Sequence, residues 1–545
     1  MTTDDTMALF LRRSRTGAEL RGDWRARGFH TDERLGWLLE DRARTMPDRP
    51  AVVTPTRELS YRDLQSRAAA IARTLVARGV RHGDAVCWML PTDAEAVCVA
   101  SAIWRIGAIS CPIVPIYGIR EMTAVIDQVR PAAVITNETV RGRCLPEEFD
   151  AVLAAVGHEP RVRLLADGRH AGWHPADQEG PGSLPDDVEP ASAEEPLLVL
   201  FTSGTEADPK GALHSTAGLT HELRSCITEW GITFRDRMFM ASPMTHITGL
   251  LQGFLIPTRV GGTAILLDRW DAAEAVHLIE RRSATYMAGA TPFLRELLGA
   301  YEASGLEASS LRQYCCGGAA VPPQLIRQAD ALGIAAYRAW GMTELPTSTL
   351  PNELDPLWAR AETDGRLAPG VELRVVDDSG EDLGADEEGR LLLRAPEMMI
   401  GYLRPTGSRP AIDEEGWLDT GDVGCLGSDG YVRITGRTKD IINRGGEKFS
   451  VREIETHLAA HPGVEAVAVL AVPGGRLGER IGALVVGSPD LGVESLGEYV
   501  VSHGLSKQKR PEIVVVVDAI PTNSTGKIDR RAALALLDQA AAIRA

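Results

Sequence analysis

The sequence predicts an α/β protein. It should comprise a large N-terminal domain of helix-covered, mostly parallel sheets with a small β-rich subdomain, and a small, mobile α+β C-terminal domain. Three observations predict this. The chain has 545 residues, too many for one ordinary core. Short apolar runs alternate with helical repeats from residue 50 to 137, and again from 197 to about 335. The pattern then changes twice: to strands between Gly and Asp turns over about 365–436, and to a compact α/β unit after Arg437. The main boundary is placed there, giving domains 1–436 and 437–545.

The elements follow in order. Val52 and Val53 open a short strand. Ser60 suits a helix N-cap, and Leu64, Ala68, Ile71 and Leu75 recur at spacings of four, three and four, with Gly79 at the end. Ala85 to Leu90 reads as a strand, Ala94 to Ile106 as a helix, and Ile109 to Val114 as a strand. A helix near Arg120 to Val129 leads to a strand at Ala132 to Thr136. Residues 140–195, rich in Pro, Gly, Asp and Glu, read as surface loops. Met238 to Thr258 holds no Asp, Glu, Lys or Arg over 21 residues, close to a membrane span in length. Pro243, His246, Gly249, Gln252, Gly253 and Pro257 instead make it a buried turn, helix and loop. In the β-rich part, Glu372 to Val376 and Arg390 to Arg394 read as strands. The last unit reads as helix 451–460, strand 464–472, strand 482–487, helix 494–504 and strand 513–517.

Composition excludes several classes. Hydrophobic residues at 44% and charged residues at 24% are ordinary for a soluble globular protein. The net charge of -17 argues against nucleic-acid binding, since no basic stripe offsets it. An anion such as ATP must then be held locally, by backbone N–H groups, a few Lys or Arg, and a metal ion. Eight scattered cysteines form no C-x-x-C pair and have no His cluster beside them. They read as buried free thiols of a reducing cytoplasm, not zinc ligands or disulfides. The acidic start, Met1-Thr2-Thr3-Asp4-Asp5, is no signal peptide. A cytoplasmic protein without a membrane span is expected.

Chemistry concentrates in five runs. Strand-like Leu197 to Phe201 feeds Thr202-Ser203-Gly204-Thr205-Glu206-Ala207-Asp208-Pro209-Lys210-Gly211. Small hydroxyl residues and glycines let backbone N–H groups approach phosphate oxygens, and Lys210 adds positive charge. It lacks Walker A spacing, and alone it also fits a polar surface turn. Trp340-Gly341-Met342-Thr343-Glu344 offers an aromatic plane, a close-approach glycine, a hydroxyl and a carboxylate. Trp417-Leu418-Asp419-Thr420-Gly421-Asp422 places carboxylates in a tight turn, as recognition of ribose hydroxyls needs. Gly436-Arg437-Thr438-Lys439-Asp440 sits at the domain boundary. Pro521-Thr522-Asn523-Ser524-Thr525-Gly526-Lys527 ends in a loop lysine.

In this order the runs resemble the superfamily of AMP-forming acyl-CoA synthetases, peptide-synthetase adenylation domains and luciferases. The resemblance covers roughly residues 35–535, with the flavour of free-standing fatty, aromatic or alicyclic acid–CoA ligases. It implies an ATP-dependent activation of a carboxylic acid to an acyl-adenylate, then transfer to coenzyme A. It also implies roles. Thr202, Ser203, Gly204, Thr205 and Lys210 grip the ATP phosphates. Gly317, Gly318 and Ala319 line the adenine site, with Trp340 stacking on the base and Gly341 beside it. Thr343 contacts the α-phosphate, and Glu344 holds Mg²⁺. Asp422 and Arg437 bind the ribose. Lys527 bridges the substrate carboxylate and the α-phosphate. Lys439 is the hinge, and Gly445 and Gly446 flank the coenzyme A channel. Two departures stand out. Glu206-Ala207 replaces the usual Thr-Gly, and the acidic side chain is expected to point outward. Trp340 replaces the commoner Tyr, keeping the stacking face but losing a hydroxyl.

Pro243-Met244-Thr245-His246-Ile247-Thr248-Gly249 matches a segment that borders the acyl pocket of such ligases, which puts His246 near the reacting carboxyl end. Gly289, Ala290, Thr291, Cys316 and Gly317 are further pocket candidates. All are small and uncharged, and no acidic residue is placed to hold a substrate amine. That favours a neutral aliphatic, alicyclic or aromatic tail. The alternative acceptor is a carrier protein acting in trans. A catalytically silent relative is a third reading, against which Lys210, Glu344, Asp422, Arg437 and Lys527 all speak.

Overall fold

The structure, a computed structural model, describes residues 15–179, 182–202, 209–318, 321–403, 412–438, 441–444, 447–473, 479–522 and 528–543. Among these, two large sheets dominate. One has seven strands, in the order Ala335–Ala339, Gln313–Gly317, Tyr286–Gly289, Arg237–Met240, Thr263–Leu266, Pro50–Val53 and Glu58–Ser60. All its neighbours pair parallel except the last. The other has eight strands, in the order Gly401–Tyr402, Lys210–Ser215, Pro196–Thr202, Ile109–Pro112, Ala85–Met89, Ala133–Asn137, Val162–Asp167 and His174–Pro175. Its middle is parallel and its Gly401–Tyr402 end antiparallel. Parallel strands must be joined by crossovers, which is why helices follow them in the chain.

The helices form where the sequence signals them. Ser60 and Asp63 exchange reciprocal caps at the start of helix Tyr61–Ala77, and Leu64, Ala68, Ile71 and Leu75 make its buried face. Gly79, at φ +87, takes the left-handed turn that follows the helix. The largest core lies between the two sheets and contains Trp88, Trp104, Trp230 and Phe254. Each of these buried indoles finds an acceptor: Ser110 Oγ at 2.8 Å, the Leu197 carbonyl at 3.0 Å and the Pro351 carbonyl at 2.9 Å respectively.

A four-stranded antiparallel sheet follows, of Glu372–Val376, Gly389–Arg394, Leu418–Leu426 and Val432–Arg437. The C-terminal part holds a hairpin, Ile441–Arg444 with Glu447–Ser450, and a three-stranded sheet of Val464–Pro473, Glu479–Gly487 and Ile513–Val516. Helices Val451–Ala459, Val493–Ser502 and Arg530–Ile543 accompany it. This part touches the rest through Ser450 Oγ, which donates to the Thr435 carbonyl at 2.9 Å, and Arg452, 3.7 Å from Asp364.

Three sequence expectations are corrected. Residues 140–195 are not only loops: they include helix Leu145–Ala155 and the sheet strand Val162–Asp167. Leu145, Phe149, Val152 and Leu153 supply a buried face at helical spacing, with Pro146 in the first turn, inside a polar composition that hid it. Met238–Thr258 begins in strand Arg237–Met240 and continues as helix from Ile247 to Val260, with a π-helical segment at Leu251–Leu255. No described helix is long and apolar enough to cross a membrane. Trp417–Asp422 is not a tight turn but mostly strand. Two residues of the neighbouring strand, Arg390 and Leu392, face Val423 and Asp419, so Thr420–Asp422 form a bulge. All eight cysteines are free, and six are buried, as free thiols should be.

Candidate active site

The carboxyl ends of the parallel strands gather the candidate residues. In the seven-stranded sheet, strands ending at Met240, Gly289, Gly317 and Ala339 are neighbours, and each is followed directly by a predicted site segment. Crevices at such strand ends are where open α/β sheets bind ligands.

On the eight-stranded sheet, Thr202 and Lys210 pair directly across an antiparallel hairpin. They bracket the segment expected to grip phosphate; Ser203, Gly204, Thr205, Glu206 and Ala207 lie outside the described residues. The Lys210 ammonium sits 5.4 Å from the centre of the Tyr402 ring, within cation–π range. Tyr402, on the next strand, donates its hydroxyl to Glu344 Oε1 at 2.5 Å. Burial and the Glu344 carboxylate push the Tyr402 hydroxyl up, which keeps it a donor. Lys210, Tyr402 and Glu344 thus form one cluster from three distant segments. The Thr343 carbonyl is fixed by His214 Nε2 at 2.9 Å, and the Met399 N–H donates to the Glu344 carbonyl at 2.7 Å. Gly341 admits no side chain: a Cβ there would lie 2.0 Å from the Pro346 carbonyl oxygen.

A second cluster centres on Asp422, which is 3% exposed. The Trp340 indole Nε1 donates to its Oδ2 at 2.8 Å, and Arg437 Nε donates to its Oδ1 at 2.6 Å. The bulge at Thr420–Asp422 aims the carboxylate, and strand pairing places Arg437 opposite. The indole at position 340 thus supplies an N–H that holds the Asp422 carboxylate. Gly317 ends its strand opposite Ala339, and a Cβ there would meet the Ala339 carbonyl oxygen at 2.9 Å. Gly318 has φ +80, which suits glycine. Ala319 lies outside the described residues.

The acyl candidates separate. His246 caps helix Ile247–Leu250, its side chain accepting from the Thr248 N–H. Gly289 ends its strand and packs against Tyr314 and Phe293, and Ala290 precedes helix Thr291–Ser304. Cys316 is fully buried, 3.8 Å from the Thr291 hydroxyl, in the outer core with Leu294 and Leu325. Its neighbour Cys315 joins the inner core that also holds Met240 and Leu250, because strand side chains alternate faces. Cys316 is therefore on the opposite face from the His246 helix. Lys439, Gly445, Gly446 and Lys527 lie outside the described residues.

Sequence reasoning missed Tyr402 and His214. Neither stands in a local pattern that signals chemistry; both are brought in by sheet pairing. Among the described residues no three His, Cys, Asp or Glu side chains could hold a metal alone.

Burial lowers the His214 imidazole to about 4, outweighing its bond to Thr343. The sign follows directly. The unfolded chain binds this proton below about 6.5 and the native state does not, so stability is complete above that pH and falls as pH drops toward 4. The expected loss is about 2 kcal/mol by pH 5. His214→Gln should flatten the fall in Tm between pH 7 and pH 5; an unchanged slope would count against it.

The comparisons agree with this architecture. Residues 39–403 match the family model for the AMP-binding enzyme, and residues 453–527 that for the AMP-binding enzyme C-terminal domain. The chain is 32% identical over 520 residues to the medium-chain fatty-acid–CoA ligase of Escherichia coli, covering 94% of this chain and 91% of that protein. It is 32% identical over 502 residues to a dioxo-octahydroindenyl-propanoyl:CoA ligase of Mycobacterium tuberculosis, covering 90% of this chain and 96% of the relative. Among solved structures, ATP-bound MatB from Rhodopseudomonas palustris superposes with a TM-score of 0.82 at 27% identity, covering 93% of this chain and 99% of that one. With the family model spanning most of the chain and these relatives aligned nearly end to end, the protein belongs to the AMP-binding enzymes, the superfamily of AMP-forming acyl-CoA synthetases.

Proposed function

We propose that this chain activates a neutral-tailed aliphatic, alicyclic or aromatic carboxylic acid as its acyl-adenylate and transfers the acyl group to coenzyme A. The observation that carries the reading is the pair of clusters at the strand ends: Lys210–Tyr402–Glu344 for phosphate, and Trp340–Asp422–Arg437 for the nucleoside. The relatives act, by their names, on medium-chain fatty and dioxo-octahydroindenyl-propanoyl substrates, and another is a feruloyl-CoA synthase.

A carboxylate is a poor electrophile. Attack on the α-phosphorus of ATP makes it a mixed anhydride and releases pyrophosphate. Nucleophile and leaving group are both anionic, so positioning and charge neutralisation do most of the work. Lys210 and Lys527 supply positive charge, Thr343 meets the α-phosphate, and Asp422 with Arg437 takes the ribose hydroxyls. No general base is required, because the nucleophile is already ionised.

Glu344 suits one hard cation. Tyr402 occupies Oε1, while Oε2 has no described hydrogen-bond partner. A single carboxylate completed by phosphate oxygens and water is the usual Mg²⁺ arrangement. When bound, Mg²⁺ neutralises phosphate charge. Within the same reading the unit beyond residue 436 turns about Lys439 between half-reactions, bringing Gly445 and Gly446 to the pantetheine arm.

A panel of acids assayed for pyrophosphate release, with and without coenzyme A, tests the proposal. AMP and pyrophosphate are expected; ADP and phosphate would exclude the adenylate route. Uncharged-tail acids should exceed amino acids and dicarboxylates in kcat/KM, because a charged tail loses hydration without a partner. Trp340→Phe keeps an aromatic face and removes only the donor to Asp422. It should raise KM for ATP about tenfold, the scale of one hydrogen bond to a charged group. The preference for ATP over its deoxyribose analogues should narrow as well. An unchanged preference would separate Trp340 from ribose recognition.

A further inference from the structure

Helix Thr216–Glu229 carries a buried acid that the proposed chemistry does not use. Glu222 is 1% exposed, and Glu397, from the turn after strand Gly389–Arg394, is 2% exposed. The helix lies against that turn. A Cβ added at Gly218, one helical turn before Glu222, would be 3.4 Å from the Glu397 Cα, and His221 Nε2 is 3.5 Å from Glu397 Oε2. Among the described residues no Lys or Arg pairs with either carboxyl, and Glu397 Oε2 has no hydrogen-bond partner. Buried acids without a cation need a reason.

Each carboxyl reaches a segment that holds Glu344. Glu222 Oε1 accepts the Thr347 hydroxyl, with Cys226 Sγ at 3.3 Å. Thr347 closes the loop 340–347, in which Met342 and Leu345 exchange backbone hydrogen bonds at 2.9 and 3.2 Å, so that Thr343 and Glu344 stand at its tip. Glu397 opens the run 397–402. Two residues on, the Met399 N–H donates to the Glu344 carbonyl at 2.7 Å, and at its end the Tyr402 hydroxyl donates to the Glu344 side chain. The His30 ring bonds the Pro396 carbonyl at 2.9 Å, and His221 bonds the Pro369 carbonyl at 2.8 Å, which fixes the turn and the helix in place.

Two carboxylates cannot both stay ionised here, since burial removes water and no cation replaces it. Burial pushes Glu222 up to about 7, against the hydrogen bonds from Thr347 and Cys226. Burial, and then the Glu222 carboxyl, hold Glu397 well above the usual carboxylate range. The surrounding titratable groups supply no compensating charge. Burial lowers His221 to about 4, lowers His30 and raises the Cys226 thiol, while Arg224 donates to the Gly28 carbonyl at 2.8 Å. We propose that Glu222 and Glu397 are positioning residues for Glu344: from one buried cluster they fasten both segments that carry it, and so set how it receives Mg²⁺ and ATP. The inference rests on the reading of Glu344 as the magnesium residue and extends it to side chains outside the strand-end clusters.

Variants of the full-length enzyme test it. Thr347→Val keeps the shape and removes the hydroxyl, and Glu222→Leu removes the acid. Both should raise the KM for ATP and the Mg²⁺ concentration for half-maximal pyrophosphate release roughly tenfold, the scale for losing a group that orients a metal-holding side chain. The KM for the acid should stay near the wild-type value. Melting gives a readout besides activity: the Tm rise produced by ATP with Mg²⁺ over ATP with EDTA should shrink in both variants. Glu222→Gln, uncharged and still able to accept from Thr347, should restore most of the loss. Its Tm relative to wild type should also rise from pH 5 to pH 8. The stability Glu222 gives as a neutral acid is lost as pH climbs from its unfolded value through about 7, whereas the amide does not ionise. Unchanged Mg²⁺ and ATP requirements in Thr347→Val and Glu222→Leu would overturn the assignment. So would a loss spread equally over ATP and acid, equal damage from Glu222→Gln and Glu222→Leu, or a Tm difference flat with pH. A wild-type Tm indifferent to Mg²⁺ in the presence of ATP would instead strike the reading of Glu344 itself, and this inference with it.

Discussion

Lys527→Ala is expected to slow adenylate formation by ~10²–10³-fold, the scale for losing one charge-stabilising donor at a reacting centre. It should leave thioester formation from pre-made acyl-adenylate near the wild-type rate. Lys527 lies outside the described residues, but Thr522 and Ile528 on either side of its loop pair with each other. The asymmetry follows from the proposed turn of the C-terminal unit. One lysine cannot stay at the α-phosphate while a thiol enters, if the same face of that unit serves both steps. Lys439→Pro should do the reverse, because proline fixes φ and hampers a hinge. In the structure the unit docks through Arg452 at 3.7 Å from Asp364 and Ser450 at the Thr435 carbonyl, both exchangeable polar contacts. Rapid-quench measurement of each half-reaction in both variants decides the matter. Equal damage to both half-reactions in both variants would end the two-conformation account.

Asp364→Ala should produce the largest loss of stability, about 3–5 kcal/mol, because it strands a buried guanidinium. Asp364 Oδ1 accepts from Arg338 Nε at 3.1 Å and from a terminal nitrogen at 2.8 Å, and Oδ2 accepts the Ile434 N–H at 2.8 Å. Both side chains are 8% exposed. Burial alone would raise the Asp364 carboxyl, but Arg338 and Arg452 outweigh it and hold it below its usual range. The stabilisation is therefore present above the ordinary carboxylate pKa and is lost as pH falls below it. The effect reaches the proposed nucleotide site. Arg338 lies on the strand that ends at Ala339, just before Trp340, and Thr349 joins the Asp364 carbonyl to the Trp340 N–H. Urea titration should show the loss, accompanied by weaker ATP binding. A variant as stable as wild type would contradict the buried-pair account.

Much of this protein is legible along the chain. The Ser60 cap, the periodic Leu64–Leu75 face and the short β runs each carry a local signal, because helix and strand periods act over a few residues. The hairpin bracketed by Thr202 and Lys210 and the close-approach glycine at Gly341 are local too, since backbone geometry there demands particular residues. Helix Leu145–Ala155 was obscured only because its flanks are polar.

What the tertiary structure alone decided are the contacts that make these pieces a site. Tyr402 reaches Glu344 across 58 residues of chain, and Trp340 reaches Asp422 across 82. The face on which Cys316 is buried depends on which side of the sheet each core occupies. A residue type and its spacing specify periodicity and backbone freedom. Whether a carboxylate gains an indole N–H is set by strand order and packing between distant segments, and no local pattern encodes that.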